Sequence, residues 1–423
     1  MNRRIHVSVA ALALSILVPL ASGCARNTRG PTLIANSHVP YNKVINQVIS
    51  EELLLNVVRR RYAEPPQFVT ISSIVSNVNT STSVGIGAQV GKDGNVSGGG
   101  SANAGVTFSD NPTITFTPRA GSEIAGPLHA TIDVDNIAYL ANANYTFDLL
   151  LVLLIQDIGS VRGPEPDVGD GFRGGSKESV ELLRMVQELV ARDELVVTEF
   201  RRHKPYSERA YEPKEVTTEA QIAATSESNR FYSVDGGKTY QFTEYDLSPG
   251  LWIAPEAREP GGVGERVVEL LEVQTNPLRR VWFFEPKRVI LGTDLRSQSP
   301  DEKREDVRTR TRSFYGVLNY LSYCVRVPKD DEKMGRAAPT ARYRQAVEEG
   351  RVYDLAEQFV VHSSKKAPDD AYLSIEHRGK WFYIADTDHV SKRIFGALYD
   401  LFNLQVAQSN EGTSGPVLTL PVN

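Results

Sequence analysis

Two cysteines, Cys24 and Cys324, are all that this chain of 423 residues contains. A disulfide framework is excluded, so the fold must be held by its own apolar core. Histidine is sparse too. His38, His129, His203, His362, His377 and His389 are scattered after the first residues, with no metal-ligand spacing among them. No Gly-x-Ser-x-Gly elbow and no His-Glu-x-x-His pair occurs, which removes the two most legible hydrolase signatures. Beyond the first 24 residues no run of about 18 uncharged apolar residues is present, so the body holds no expected transmembrane helix. Positive charge is not in excess: the formal net charge is −5, which argues against nucleic acid as the main partner.

The start of the chain is informative. MNRRIHVSVAALALSILVPLASGC sets Arg3 and Arg4 before an apolar stretch from Val7 to Leu20, too short to span a bilayer comfortably, and ends on small residues at Cys24. This resembles the lipobox leader of bacterial lipoproteins. The resemblance implies cleavage after residue 23, diacylation of Cys24, and stable anchoring by two acyl chains. Ala25 rather than Asp then implies sorting to the outer membrane, with the body in the periplasm.

Residues 24–40 read as a tether. YNKVINQVISEELLLNVVRRRY (41–62) has helical apolar spacing, ends on Arg59, Arg60 and Arg61, and is stopped by Pro65-Pro66. Strands are expected at FVTISSIV and NPTITFTP (111–118), and in the apolar run Leu149–Ile155, where periodicity alone leaves a buried helix open. SVELLRMVQELVARD is amphipathic, with Val180, Leu183, Val186 and Val190 on one side. RFYSVDGGKTYQFTEY reads as a hairpin, GERVVELLEV as a helix, and VWFFEPKRVIL as two strands broken at Pro286. DVRTRTRSFYGVLNYLSYCV (306–325) reads as a helix with Phe314, Val317, Leu318 and Leu321 inward. VYDLAEQFVVHS and AYLSIEHRGKWFYIAD supply strands, the latter pair turning at Arg378-Gly379. A helix over DTDHVSKRIFGALYDLFNLQ is capped by Asp386 or Asp388, and GPVLTLPV is a last strand. Helices mixed with antiparallel hairpins give an α+β fold. The expected organisation is a signal peptide (1–23), the tether (24–40), a helix-plus-hairpin region (41–165) and an α+β body (166–423).

The segments LLLNVVRRRYAEPPQF, NPTITFTP, RGKWFYIADTDHVSKRIFGALYDLFNLQ and PVLTLPV together resemble a group of Gram-negative envelope lipoproteins. That resemblance implies the address and carries no activity, cofactor or metal to any residue.

Several motifs dissolve on inspection. Gly-Gly-Lys-Thr (236–239) has Tyr232 where a phosphate loop needs Gly. Gly85-x-Gly87 before Gly91 is followed by KDGNVSGGGS, which does not open the helix a dinucleotide site requires. Asp133-Val-Asp135-Asn136 and Asp386-Thr-Asp388 lack the rest of a calcium loop and read as caps.

What remains is a stretch almost empty of charge. Between Pro65 and Ser109 only Lys92 and Asp93 are charged, in a chain that is 23% charged overall. Even positions carry Val78, Val84, Ile86, Val90, Val96, Val106 and Phe108 among small residues. Odd positions from 77 to 89 and from 95 to 107 are uncharged polar or Gly. Keeping even opposite even demands a hairpin that turns at Lys92, Asp93 and Gly94 and pairs 90 with 96, 84 with 102 and 78 with 108. Its pattern is similar to the stem hairpins of oligomeric pore-formers, where each subunit lends a hairpin to a shared barrel. The curli-secretion lipoproteins use a related scheme. Packing on the body or on a neighbouring subunit is the other ordered reading, and disorder is the third, because Gly-rich strands are entropically costly. The functional expectation is a non-enzymatic outer-membrane lipoprotein that partners the membrane through its anchor, and itself or other envelope proteins through the hairpin, in assembly or transport. A monomeric periplasmic binding or scaffold lipoprotein is the alternative, and an envelope hydrolase with a dispersed site is a third.

Overall fold

The computed structural model describes residues 29–90, 96–118, 122–166, 172–205, 209–219, 230–233, 239–274, 281–286, 306–337, 339–409 and 417–419. The chain is α+β. It divides into two compact units: one of residues 1–52, 67–119 and 412–423, the other of 53–66 and 120–411. Residues 120–165 thus group with the body after them rather than with the hairpin. Helix α1 (Arg29–Arg61) contributes to both units. It begins in the segment that reads as tether and continues through Pro40, where the missing N–H removes one intrahelical bond.

In the smaller unit, β1 (Val69–Val90) and β2 (Val96–Pro118) form an antiparallel pair of 22 and 23 residues. A strand at Val417–Thr419 joins it, pairing parallel with Ser73–Val75 of β1.

In the larger unit, the end of α1 buries Leu53, Leu54, Val57 and Val58 completely. The helix closes with Glu64 N bonded to Arg59 O and Ala63 N to Arg60 O, Ala63 adopting φ 57°. This is the Schellman pattern with a non-glycine in the left-handed position. Three helices come next: α2 (Ser122–His129), α3 (Asp135–Asn142) and α4 (Phe147–Leu153). The run Leu149–Ile155, expected as a strand, is therefore mostly helix. Leu150, Leu153 and Leu154 are wholly buried, and a segment apolar on every side carries no period to separate the two forms.

A seven-stranded sheet is the centre of this unit. β3 (Ile155–Ile158) and β4 (Val161–Arg162) stand at one edge, and the short pair β5 (Glu165–Pro166) and β6 (Phe172–Arg173) forms a separate ladder. After them the chain forms α5 (Lys177–Ala191), β7 (Leu195–Pro205), β8 (Arg230–Ser233), β9 (Tyr240–Ile253), α6 (Val263–Leu270), β10 (Val281–Pro286) and β11 (Val307–Thr311). The strand order is β4-β3-β11-β10-β9-β7, with β8 on β9 and only β10 and β11 parallel. The expected hairpin at β8–β9 forms with Ser233 opposite Tyr240. The half of VWFFEPKRVIL after Pro286 lies outside the described residues. On α5, Val180, Leu183 and Val186 are buried, as are Leu182 and Leu189, while Val190 is only half-buried.

Residues 306–325, read as one helix, divide into β11 and α7 (Phe314–Ser322). Val307, Thr309 and Thr311 are buried while Arg308 and Arg310 are half-buried, the alternation of a strand. Ser313, in extended conformation, accepts from Gly316 N and starts α7. Phe314, Val317, Leu318 and Leu321 are its buried face.

The remaining elements are α8 (Lys329–Lys333), α9 (Ala341–Glu348), the three-stranded sheet β12 (His362–Ser364), β13 (Ala371–His377) and β14 (Lys380–Ala385), and α10 (His389–Ser409). Residues 352–361, expected to be strand, form a 3-10 turn and coil instead. Val352, Leu355 and Phe359 are buried at spacings of three and four, and Asp354 bonds Ala356 N at 3.2 Å. β13 and β14 turn through Arg378 (φ 54°) and Gly379 (φ 71°), with His377 opposite Lys380. Positive φ at both positions is a type I′ turn, whose twist matches the strands. Asp388 caps α10 by accepting from Ser391 N at 2.9 Å. Ile394, Ala397, Leu398, Leu401 and Phe402 are buried, whereas Val390 is 51% exposed because it sits beside the cap, on the outward side.

Candidate functional site

Cys24 and the turn residues Lys92, Asp93 and Gly94 lie outside the described residues. The strands they bound are described. Val90 stands opposite Val96, as parity requires. Below it the ladder departs from the simple pairing. Ile86 faces Ala102, Val84 faces Ala104 rather than residue 102, and Val78 faces Asp110 rather than Phe108. Thr82 is opposite Val106 and Thr80 opposite Phe108. The cause is a shift between Ala88 and Val90, where Ser97, Gly98 and Gly99 of β2 stand against Gln89 alone, two extra residues. Glycine tolerates the backbone such a bulge needs. Because the shift is by two, even still faces even as far as Ser73 opposite Thr115, and a second shift lies between Ile71 and Ser73. Among the described residues, β2 pairs only with β1, and β1 is covered on its other side only at Ser73–Val75. From Ser76 to Val90 the hairpin is a two-stranded ribbon, open on both edges.

The dismissed motifs take structural places. Gly85 and Gly87 are inside β1, so no helix opens from them. Part of Gly-Gly-Lys-Thr lies outside the described residues, within the β8–β9 connection. Asp133 Oδ1 accepts from Asp135 N at 3.1 Å at the start of α3. Burial, then the charges of Asp133 and Glu199, pushes the Asp135 carboxyl up. Asp386 pairs with Lys392. His129 packs edge-on to Tyr315, and His362 stacks on Tyr383. Among the described residues, no group of three or more His, Cys, Asp or Glu is placed to hold a metal ion. Among them, too, no helix is long and apolar enough to cross a membrane.

The body does gather charge where α1 ends. Tyr62 Oη donates to Asp331 Oδ2 at 2.8 Å, and Lys380 Nζ donates to the same oxygen at 3.4 Å. Arg336 lies 3.5 Å from Asp331 Oδ1. Burial alone would raise the Asp331 carboxyl. The hydrogen bonds from Tyr62 and Lys380, with the charges of Lys380 and Arg336, outweigh it and hold the group below the usual range. Burial and the bond to Asp331 push the Tyr62 hydroxyl up. Glu64 Oε1 accepts from both Nε and Nη2 of Arg378, at 2.9 and 2.6 Å, and the Arg378 guanidinium lies 4.9 Å from the Tyr62 ring centre. His377 Nε2 is 3.2 Å from Glu64 Oε2, an ion-pair distance without hydrogen-bond alignment. Burial draws the His377 pKa down, with Arg378 and Arg59 adding to it and Glu64 opposing. The segments RRRYAE and HRGK therefore meet, Glu64 and Arg378 being 314 positions apart. No nucleophile is set beside a base here, and the arrangement serves to clamp the end of α1 onto the β13–β14 hairpin.

Sequence reasoning passed over Arg312. It is 3% exposed, and its Nη1 donates to the carbonyls of Val152 at 3.1 Å and Ile155 at 2.6 Å, closing the end of α4. Its Nη2 reaches Pro164 O at 2.8 Å, and Tyr320 lies beneath the guanidinium. In RTRTR three arginines look alike: Arg308 and Arg310 follow the outward alternation of β11, whereas Arg312, one residue past the strand's end at Thr311, departs from it and is buried. Comparison with family models, with curated proteins and with solved structures gives no match for this chain.

Proposed function

We propose that this chain is a non-enzymatic lipoprotein of the outer membrane, anchored through Cys24, whose body lies in the periplasm and which acts as an oligomeric component of envelope assembly or transport. Its hairpin would complete a sheet or barrel shared between copies. The observation that carries the reading is the open ribbon from Ser76 to Val90 and from Val96 to Pro112. A two-stranded hairpin is marginally stable alone, and long bare edges recruit further strands. A leader with lipobox features supports the address.

The distribution of charge supports a bilayer as the surroundings of the barrel. Asp110, opposite Val78, and Lys92-Asp93, which follow β1 in the sequence, bound a segment without charge. Twelve residues, Asn79–Val90, extend for about 40 Å at about 3.3 Å each, which a barrel tilt of about 45° reduces to about 28 Å, the thickness of a hydrocarbon core.

The rival is a monomeric binding or scaffold lipoprotein, and the Val417–Thr419 strand on the edge of β1 favours it, since that strand covers part of the hairpin from within the same chain. Asp93→Cys separates the two. Intact cells are treated with a membrane-impermeant thiol reagent, and the buried Cys324 serves as a silent internal thiol. Labelling of Asp93→Cys in intact cells is expected. Reaction only after the outer membrane is opened would leave the tip in the periplasm and remove the membrane-crossing hairpin.

A further inference from the structure

A cleft of about 510 Å³ opens in the larger unit beside the last turn of α1 and the first turn of α7, in the size range of small-molecule sites. Its lining is polar. Arg60, Arg312, Ser313, Tyr315 and Asn319 contribute to it. Two of these are guanidinium groups, and neither has a carboxylate at ion-pair distance among the described residues. Arg60 donates through Nε to Asn319 Oδ1 and through Nη1 to Glu64 O at 3.4 Å, both uncharged oxygens. Arg312 is bonded to carbonyl oxygens only, and its buried Nε has no partner among the described residues. Glu165 also lines the cleft, but its carboxylate is engaged by Arg173 at 3.7 Å. The N-terminal turn of α7, a nine-residue helix, adds the positive end of its dipole.

An isolated buried cation is costly unless an anion compensates it. Carbonyl dipoles, the Tyr320 ring and the charges of Asp157 and Glu165 offset part of that cost for Arg312. Arg60, held in place by Asn319, lines the cleft. We propose that this cleft binds a small molecule through one oxyanion, a carboxylate or a phosphate, which ion-pairs with Arg60 in the positive potential of Arg312 and the α7 N-terminus. The chain thereby holds a ligand-binding function in its body, separate from the hairpin and independent of the anchor. The bidentate geometry of arginine suits both oxyanions.

Titration calorimetry of the mature full-length protein, in a non-ionic detergent at low salt, tests this with inorganic phosphate and with acetate as separate probes. Saturable one-to-one binding of at least one is expected, and the tighter of the two identifies the head group. Arg60→Gln is expected to raise Kd by about tenfold or more, equivalent to about 1.4 kcal/mol, and Asn319→Asp to do the same by placing a negative charge at the wall. Both variants should keep the thermal unfolding midpoint within a few degrees of the parent, since Arg60 and Asn319 are only half-buried. Arg312 is not substituted, because it also holds the end of α4. Absence of saturable binding by either probe would overturn the proposal. So would unchanged affinity in folded Arg60→Gln. Neither result bears on where the hairpin tip lies, so this proposal and the envelope reading fail separately.

Discussion

Asp331 brings a negative charge to a nearly closed position, 3% exposed, and three side chains from other parts of the body answer it. Tyr62 comes from the end of α1, Lys380 from β14 and Arg336 from the loop after α8. Removing the carboxylate leaves a buried hydroxyl and a partly buried ammonium without their acceptor. Asp331→Ala is expected to lower stability by about 2–3 kcal/mol in urea denaturation, less than a fully closed pair because Lys380 keeps some access to water. The neighbouring, exposed Asp330→Ala should stay within about 0.5 kcal/mol. Equal effects for the two would show that the network does not hold α1. This distinction was not legible in the sequence. KDDEK reads as a solvated charge run, and only the approach of Tyr62, 269 positions away, separates Asp331 from the acids beside it. The same blindness applies to Arg60 and Arg312, whose neighbours in the cleft come from distant segments.

At the scale of elements, legibility followed the local signal. Arg378-Gly379 between two alternating apolar runs reads as a tight turn, and the type I′ geometry agrees. Gly379 at φ 71° is where a side chain, above all a branched one, is strained. Gly379→Val is therefore expected to cost about 1–2 kcal/mol, checked by chemical denaturation, with Gly379→Asn milder because Asn tolerates this region. Equal penalties for Val and Asn would contradict the turn assignment. α5, α7 and α10 were legible for a related reason: polar residues separate their apolar positions and expose the helical period. Where that contrast is missing the reading fails. Leu149–Ile155 has no polar residue to set a phase. VRTRT was absorbed into the helix beside it because its Thr-in, Arg-out alternation uses polar residues on both faces. In 352–361 the apolar residues bury themselves from an irregular backbone that has no period at all. The hairpin parity was visible, but the two-residue bulge at its triple glycine was not, because parity is blind to an even shift.

For the whole molecule, the two compact units predict separable behaviour. Replacing residues 79–109 by an Asn-Gly turn joins Val78 to Asp110, which already face each other. The larger unit should then melt as in the parent by circular dichroism. If the ribbon joins copies together, the particle mass by analytical ultracentrifugation should fall to that of a monomer. An unchanged oligomer would exclude the hairpin as the contact. The pairing of Ser73–Val75 with Val417–Thr419 has a further consequence, for the order of events as the chain is made. Those partners are separated by about 340 residues, and closing so long a loop costs about 3–4 kcal/mol more entropy than turning the β1–β2 hairpin. Three residue pairs cannot offset this in an unfolded chain. Residues 120–411 must condense first and draw the two segments near, so the smaller unit is finished last. Until then the edge of β1 is an unfilled slot, and another strand that reaches it earlier competes with the chain's own.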